Sequence, residues 1–227
     1  MAVPLLDLRA QHSRIRESVV AAMMKVVDDQ AFILGAPVSA LEADVAALSR
    51  TKYAVGCASG TDALLLALKA LDVGPGDEVV TTPFTFFATA GTIHNVGART
   101  VFVDIDPKTF NIRPDLAAAA VTKKTKAIIP VDLFGQIAPV EEIRRLLPAM
   151  PIIEDAAQTI GARRKIDGEW TMAGQTATIG TFSFFPSKNL GGYGDGGMMV
   201  TQDETIFNRL MRLRTHGGVK TYFHEEV

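Results

Sequence analysis

The stretch SFFPSKNLGGYGDGG carries one lysine, Lys188, between an apolar run and a cluster of glycines. A solvated surface lysine needs no such surroundings. A phosphate-loop lysine would follow a different spacing. An amine in this setting can form a Schiff base once it is deprotonated, which desolvation and a neighbouring positive charge both favour. The glycines that follow let a tight loop cross close to a bound group. Ser183, at the start of the stretch, can donate to a phosphate.

Three further stretches offer complementary chemistry. In PIIEDAAQTIG, apolar residues deliver Glu154 and Asp155 to a strand end. A carboxylate there can pair with a positively charged ring nitrogen, a pairing that is costly unless well matched. The amide of Gln158 lies close enough along the chain to reach a ring substituent. The plainer reading of Asp155 is a helix cap. In SGTDALLLAL, small residues open a helix, where free N–H groups and the helix dipole attract anions. Gly60 permits close approach, and Ser59 and Thr61 add hydroxyls; an ordinary cap is the plainer reading. In TTPFTFFAT, Phe86 and Phe87 are adjacent. One can lie flat on a planar ring while the other faces the core, although both in the core is the plainer expectation.

Rival motifs are weak. Gly192, Gly194 and Gly197 spell GxGxxG, but a strand pattern follows instead of a helix. There is no GxxxxGK[ST], and Ser59 sits in GCASG, not in GxSxG. The histidines His12, His94, His216 and His224 lack metal-ligand spacing, so no metal is expected. Cys57 is the only cysteine and lies in an apolar strand pattern; it reads as core filler, not as a nucleophile.

The elements that must position these residues alternate. SRIRESVVAAMMKVV has helical spacing, with Ile15, Val19, Ala22, Met23 and Val26 on one face. Ser39 is the expected cap of a helix over ALEADVAALSR, with Glu42 at the capping-box position. Strands are expected at YAVGC, EVVTT, TVFVDI, KAIIPV, PIIED, ATIGTFSFF and GMMVT. Helices are expected at GTDALLLALKAL, FFATAGTIHNVG, PVEEIRRLL and ETIFNRLMRLRTHG. This alternation predicts an α/β layer fold with a largely parallel sheet. Ligands in such sheets gather at the carboxyl ends of strands. Ser59–Thr61, Thr85–Thr89, Glu154–Asp155 and Lys188 all follow strands, so a single pocket is expected.

The bulk numbers suit one large domain or one and a half ordinary ones, with enough length to bury a core. The chain has 227 residues, 48% of them hydrophobic, and a formal net charge of -2. No basic stripe points to nucleic acid. Lys123, Lys124 and Lys126 read as a solvated turn before a strand. One cysteine allows no internal disulfide, which fits a reducing compartment. Neither a signal peptide nor a membrane span is expected, and the cytoplasm is the default.

In this order, the motifs resemble the DegT/DnrJ/EryC1/StrS family of pyridoxal-phosphate sugar aminotransferases. The resemblance runs from PLLDLRAQ through FILG, SGTDALLLAL, GPGDEVVTTPFTFFATA, GARTVFVDID and IIPVDLFGQ to IEDAAQ and FSFFPSKNLGGYGDGG. It implies the aspartate aminotransferase type I fold, a three-layer α/β/α sandwich around a mostly parallel seven-stranded sheet. It also implies an N-terminal arm and helix over 1–35 and a cofactor-binding large domain over 36–227. Lys188 resembles the Schiff-base lysine and proton shuttle. Asp155 resembles the partner of the pyridinium nitrogen, Gln158 the contact to the 3-hydroxyl, and Phe86 the stacking aromatic. Gly60, Thr61 and Ser183 resemble the phosphate cradle. The implied cofactor is pyridoxal 5'-phosphate, and the implied substrates are glutamate as amino donor and a nucleotide-linked keto sugar, in a homodimer, with no nucleic-acid or membrane partner. Related sugar dehydratases carry histidine in place of the lysine, which Lys188 argues against. The family continues into a smaller C-terminal domain, with a GxNxRxDxxQAA-type motif after a stretch like His216–His224. The chain stops at Val227, before that motif, so the expectation is a large domain lacking its smaller partner.

Overall fold

The computed structural model describes residues 3–4, 6–220 and 223–224; Tyr222, of the His216–His224 stretch, lies outside the described residues. The chain divides into two compact units, Met1–Leu41 and Glu42–Val227. The first unit carries α1 (Leu8–Asp28), capped by Asp7, whose carboxylate accepts from the N–H groups of Arg9 and Ala10. The predicted helix forms, yet none of its residues is buried.

The helix α2 (Ala36–Leu48) begins before Ser39, so the expected cap is instead an interior residue. Pro37 explains the earlier start, because proline is favoured in a first turn. Glu42 serves another purpose. Its carboxylate accepts from the Gly56 N–H at 2.8 Å and pairs with Arg214 at 2.5 Å.

The strands β1 (Tyr53–Cys57), β2 (Glu78–Thr81), β3 (Arg99–Phe102), β4 (Thr125–Ile129) and β5 (Ile153–Asp155) form where apolar runs were read. A hairpin follows, β6 (Arg163–Ile166) and β7 (Glu169–Met172), then β8 (Ile179–Ser183), β9 (Gly197–Thr201), and the short β10 (Gly218–Lys220) and β11 (Phe223–His224). One four-stranded sheet has the order β1-β9-β8-β5, and a three-stranded sheet has the order β3-β2-β4. Parallel bridges Ile128↔Ile152 and Val131↔Asp155 join residues of the β4 and β5 regions. Pairings β2–β3, β2–β4 and β5–β8 are parallel, while β9 runs antiparallel to both neighbours. The architecture is therefore α/β with mixed sheets.

Strand periodicity sends alternate side chains to opposite faces. Val79, Ile129, Ile153 and Met199 pack with Leu64 and Leu68 of α3 (Gly60–Ala70), Ile93 of α4 (Phe87–Asn95) and Leu210 of α7 (Glu204–Arg214). Their neighbours Val80, Ile128 and Ile152 pack with Ala117 of α5 (Pro114–Ala119) and Val140 and Ile143 of α6 (Val140–Leu146). Helices thus cover both faces, and the strand ends stay open for a site.

Sequence reasoning missed the β6–β7 hairpin and α5. A signal for the hairpin was present: Asp167-Gly168 links its strands, both residues at positive φ, as primed hairpin turns require.

Candidate functional site

Strand register builds the first wall. Gly197 of β9 pairs with Cys57 of β1 on one side and Ser183 of β8 on the other. This places the start of α3 against Ser183. A methyl on Gly60 would lie 2.5 Å from Ser183 Cβ, and one on Gly197 would collide with the Ser59 carbonyl. Glycine here is demanded by backbone approach. Ser59 caps α3, accepting from the Asp62 N–H at 3.0 Å. The N–H groups of Gly60 and Thr61 in the first turn have no intrahelical acceptor, as at any helix start.

Lys188 lies in a tight loop after β8. Its N–H donates to the Phe185 carbonyl at 2.8 Å, and the Gly192 N–H returns to the Phe184 carbonyl at 2.7 Å. A side chain on Gly191 would collide with the Pro186 carbonyl, so that glycine closes the loop on itself. Lys188 is left half-buried and facing the cavity.

Asp155 ends β5 and is buried. Thr89 Oγ1 donates to its Oδ2 at 2.7 Å, and the Ala157 N–H approaches Oδ1 at 3.4 Å. Thr85 stands 2.8 Å from the Thr89 hydroxyl. Because an ionised carboxylate only accepts, the relay runs from Thr85 to Thr89 to Asp155. Burial pushes the Asp155 carboxyl up from its ordinary range, while the Thr89 bond, the Ala157 N–H and the field of Lys188 pull it down. Gln158 is pinned by one end: its Oε1 accepts from the Phe134 N–H at 2.7 Å. Phe134 stands at φ 57°, a left-handed backbone that is costly for a bulky residue and that this bond helps to hold.

Gly60, Thr61, Phe86, Asp155, Gln158, Ser183 and Lys188 all line one cavity of about 410 Å³ at the carboxyl ends of the strands. Two expectations need correction. Neither aromatic of the Phe86–Phe87 pair is in the core: they are 70% and 81% exposed. Phe86 caps the start of α4 at the cavity mouth, and Phe87 lies back over Gly91 of its own helix. Glu154 does not join Asp155 at the cavity, because strand alternation turns it away, toward Asp132.

The bonding role of Thr89 and the presence of Asp132 in the wall were not anticipated. Asp132 follows β4, so the strand-end rule was a usable signal for it. Cys57 reads as expected: half-buried, its thiol approaching the Ser59 carbonyl at 3.3 Å and its pKa pushed up to about 12, chiefly by burial. Among the described residues, no helix is long and apolar enough to cross a membrane.

These features define an α/β protein whose strand-end cavity sets a lysine beside a buried aspartate and a helix N-terminus. The chain belongs to the DegT/DnrJ/EryC1/StrS aminotransferase family, whose model matches residues 13–227. It is 51% identical over 226 residues to the pleiotropic regulatory protein of Geobacillus stearothermophilus, covering 99% of this chain and 60% of that protein. It is 49% identical over 226 residues to the UDP-N-acetyl-3-dehydro-alpha-D-glucosamine 3-aminotransferase of Acidithiobacillus ferrooxidans, again covering 99% and 60%. Among solved structures, Streptomyces venezuelae DesV in complex with a ketimine intermediate superposes with TM-score 0.93 at 40% identity, covering 98% of this chain and 60% of that one. The chain therefore spans about 60% of the length of the curated relatives it matches.

Proposed function

We propose that this chain is the cofactor-binding part of a pyridoxal-phosphate-dependent aminotransferase that moves an amino group from glutamate to a nucleotide-linked keto sugar. The carrying observation is the joint placement of Lys188 and Asp155 on one cavity, with a helix N-terminus and Ser183 on its wall. We read the two sheets as one seven-stranded sheet with its seam between β4 and β5, in the aspartate aminotransferase type I fold. We read residues 1–35 as an arm and helix, and 36–227 as the large domain. A cytoplasmic homodimer completes this reading.

The donor set fits the cofactor. Asp155 is a buried carboxyl with hydrogen bonds that favour its charged form, and a protonated ring nitrogen would give that charge a partner. The open N–H groups of α3 and the Ser183 hydroxyl suit a phosphate. When bound, pyridoxal phosphate supplies an aldehyde carbon and a ring that accepts electron density.

The chain's own residues then have distinct tasks. Asp155 would hold a proton on the ring nitrogen of the bound cofactor, and the Thr89 hydroxyl favours the ionised form of Asp155 against the effect of burial. With the cofactor bound, Lys188 Nζ would be the group that takes the proton from the substrate's alpha carbon and gives it back, as a general acid-base must. Gln158, its oxygen held by the Phe134 N–H, has its amide nitrogen available to donate to the 3-oxygen. Phe86, at the mouth, offers a ring face for stacking.

The test incubates the full-length protein with glutamate and a panel of UDP- and dTDP-linked keto sugars, following 2-oxoglutarate. Amino transfer that disappears in Lys188→Ala is expected. A second reading, a cofactor-binding regulatory module, is favoured by the 51% identity to a protein named as a pleiotropic regulator. Cofactor retained with no transfer to any sugar would select it. Lys188 argues against the third reading, a related sugar dehydratase.

A further inference from the structure

Asp132, in the cavity wall, and Glu154, behind it, are both buried and within hydrogen-bond reach of each other. Asp132 Oδ1 accepts from the Ala138 N–H at 2.8 Å, and Oδ2 accepts from the Thr159 hydroxyl at 2.7 Å. Glu154 Oε1 accepts from the Gly174 N–H at 3.0 Å. Two carboxylates cannot hydrogen-bond to each other without a proton between them.

Few other charges face the pair. Arg164 of β6 is the cation whose field reaches Asp132, and its guanidinium is already paired with Glu141 of α6. Asp155 follows Glu154 directly, and Lys188 acts on Asp155. Burial pushes both carboxyls up, Asp132 well above its usual range, and each feels the other.

The pair also joins two cavity segments. Asp132 belongs to the segment with Leu133 and Phe134; Thr159 belongs to the turn with Asp155 and Gln158. The Asp132 N–H donates to the Asp155 carbonyl at 3.0 Å, and the Phe134 N–H donates to Gln158. The carboxyl of Asp132 clamps the same two segments through Thr159.

We infer that Asp132 and Glu154 hold one shared proton and act as a positioning pair, fixing the turn that presents Asp155 and Gln158 to the cavity. The proton belongs to the pair, not to either residue. Loss of it sets two carboxylates against each other and loosens the clamp. The positioning role rests on the cofactor reading above; the shared proton does not.

The experiment therefore uses cofactor-free protein. An infrared spectrum at pH 7 is expected to contain a protonated-carboxyl band that is lost in both Glu154→Gln and Asp132→Asn and kept in Asp155→Asn. Hydrogen exchange at the Ala138 and Phe134 amides supplies the second readout. In Glu154→Gln the amide donates to Asp132 without needing a shared proton. As the pH rises from the unfolded carboxylate range toward the pair's ionisation in the folded protein, wild-type protection is expected to fall by up to about tenfold per pH unit beyond the intrinsic trend and then level off, while Glu154→Gln keeps it. Absence of the band in wild type, its survival in either pair variant, or identical pH trends in wild type and Glu154→Gln overturns the inference. If the band and exchange behave as expected while Lys188 cannot be labelled with pyridoxal phosphate, the cofactor reading fails and the proton pair stands.

Discussion

Gly60 and Ser183 touch with no space for a side chain between them: a Cβ on Gly60 would lie 2.5 Å from the Cβ of Ser183. This contact brings the start of α3 and the end of β8 onto the same wall. Gly60→Ala is expected to destabilise the fold by about 1–3 kcal/mol through overpacking and to weaken pyridoxal-phosphate binding. Adding Ser183→Gly should restore much of the stability and not the binding, since the hydroxyl is then gone. Thermal melts and cofactor titrations of both variants measure this.

Removing Thr89's hydroxyl by Thr89→Val takes away a donor that favours ionised Asp155. The Asp155 pKa should rise, because the lost bond favoured the charged form. Cofactor retention on acidification should then fail at a higher pH than in wild type. Absorbance of the bound cofactor across a pH series reads the shift, and unchanged midpoints would remove Thr89 from the site's electrostatics.

Asp155→Asn should separate stability from binding. In the cofactor-free protein the Asp155 carboxyl is raised above its unfolded value. Folding above the unfolded pKa therefore takes up a proton, and stability from this group declines as pH rises from about 4 toward the folded pKa. The asparagine variant should lose that decline and melt with a flatter pH profile. Its affinity for pyridoxal phosphate should drop by about 2–5 kcal/mol, the usual penalty for removing one partner of a buried charge pair.

Borohydride treatment of protein loaded with pyridoxal phosphate should fix the label on Lys188, identified by peptide mass. Lys188→Ala should give no fixed label. Label on any other lysine would overturn the assignment of the reacting amine.

Gln158→Ala leaves the Phe134 N–H without its side-chain acceptor while Phe134 remains at positive φ. A stability loss of about 1 kcal/mol is expected, with faster amide exchange at Phe134. Gln158→Glu should restore the acceptor and the exchange protection.

Much of this was legible in linear order. Side-chain alternation is local to a strand, so apolar runs announced β1 to β5, β8 and β9 before any contact was known. The strand-end rule then placed Lys188, Asp155 and the start of α3 in one cavity. Ser39 was misread because the capping-box pattern fits more than one helix start, and Pro37 favoured the earlier one. Phe86 and Phe87 were misread because hydrophobicity predicts burial only on average.

By itself, the sequence determined most of the elements, the β6–β7 hairpin and α5 apart, and most of the reactive groups at strand ends, because helix and strand periods follow from backbone geometry. Only the tertiary structure decided which groups meet. Thr89 reaches Asp155 across 66 positions, and Asp132 meets Thr159 across 27. Those contacts depend on parallel strands lying side by side, and burial then sets the charge of each carboxyl. A buried acid's proton depends on neighbours in space, which linear order does not specify.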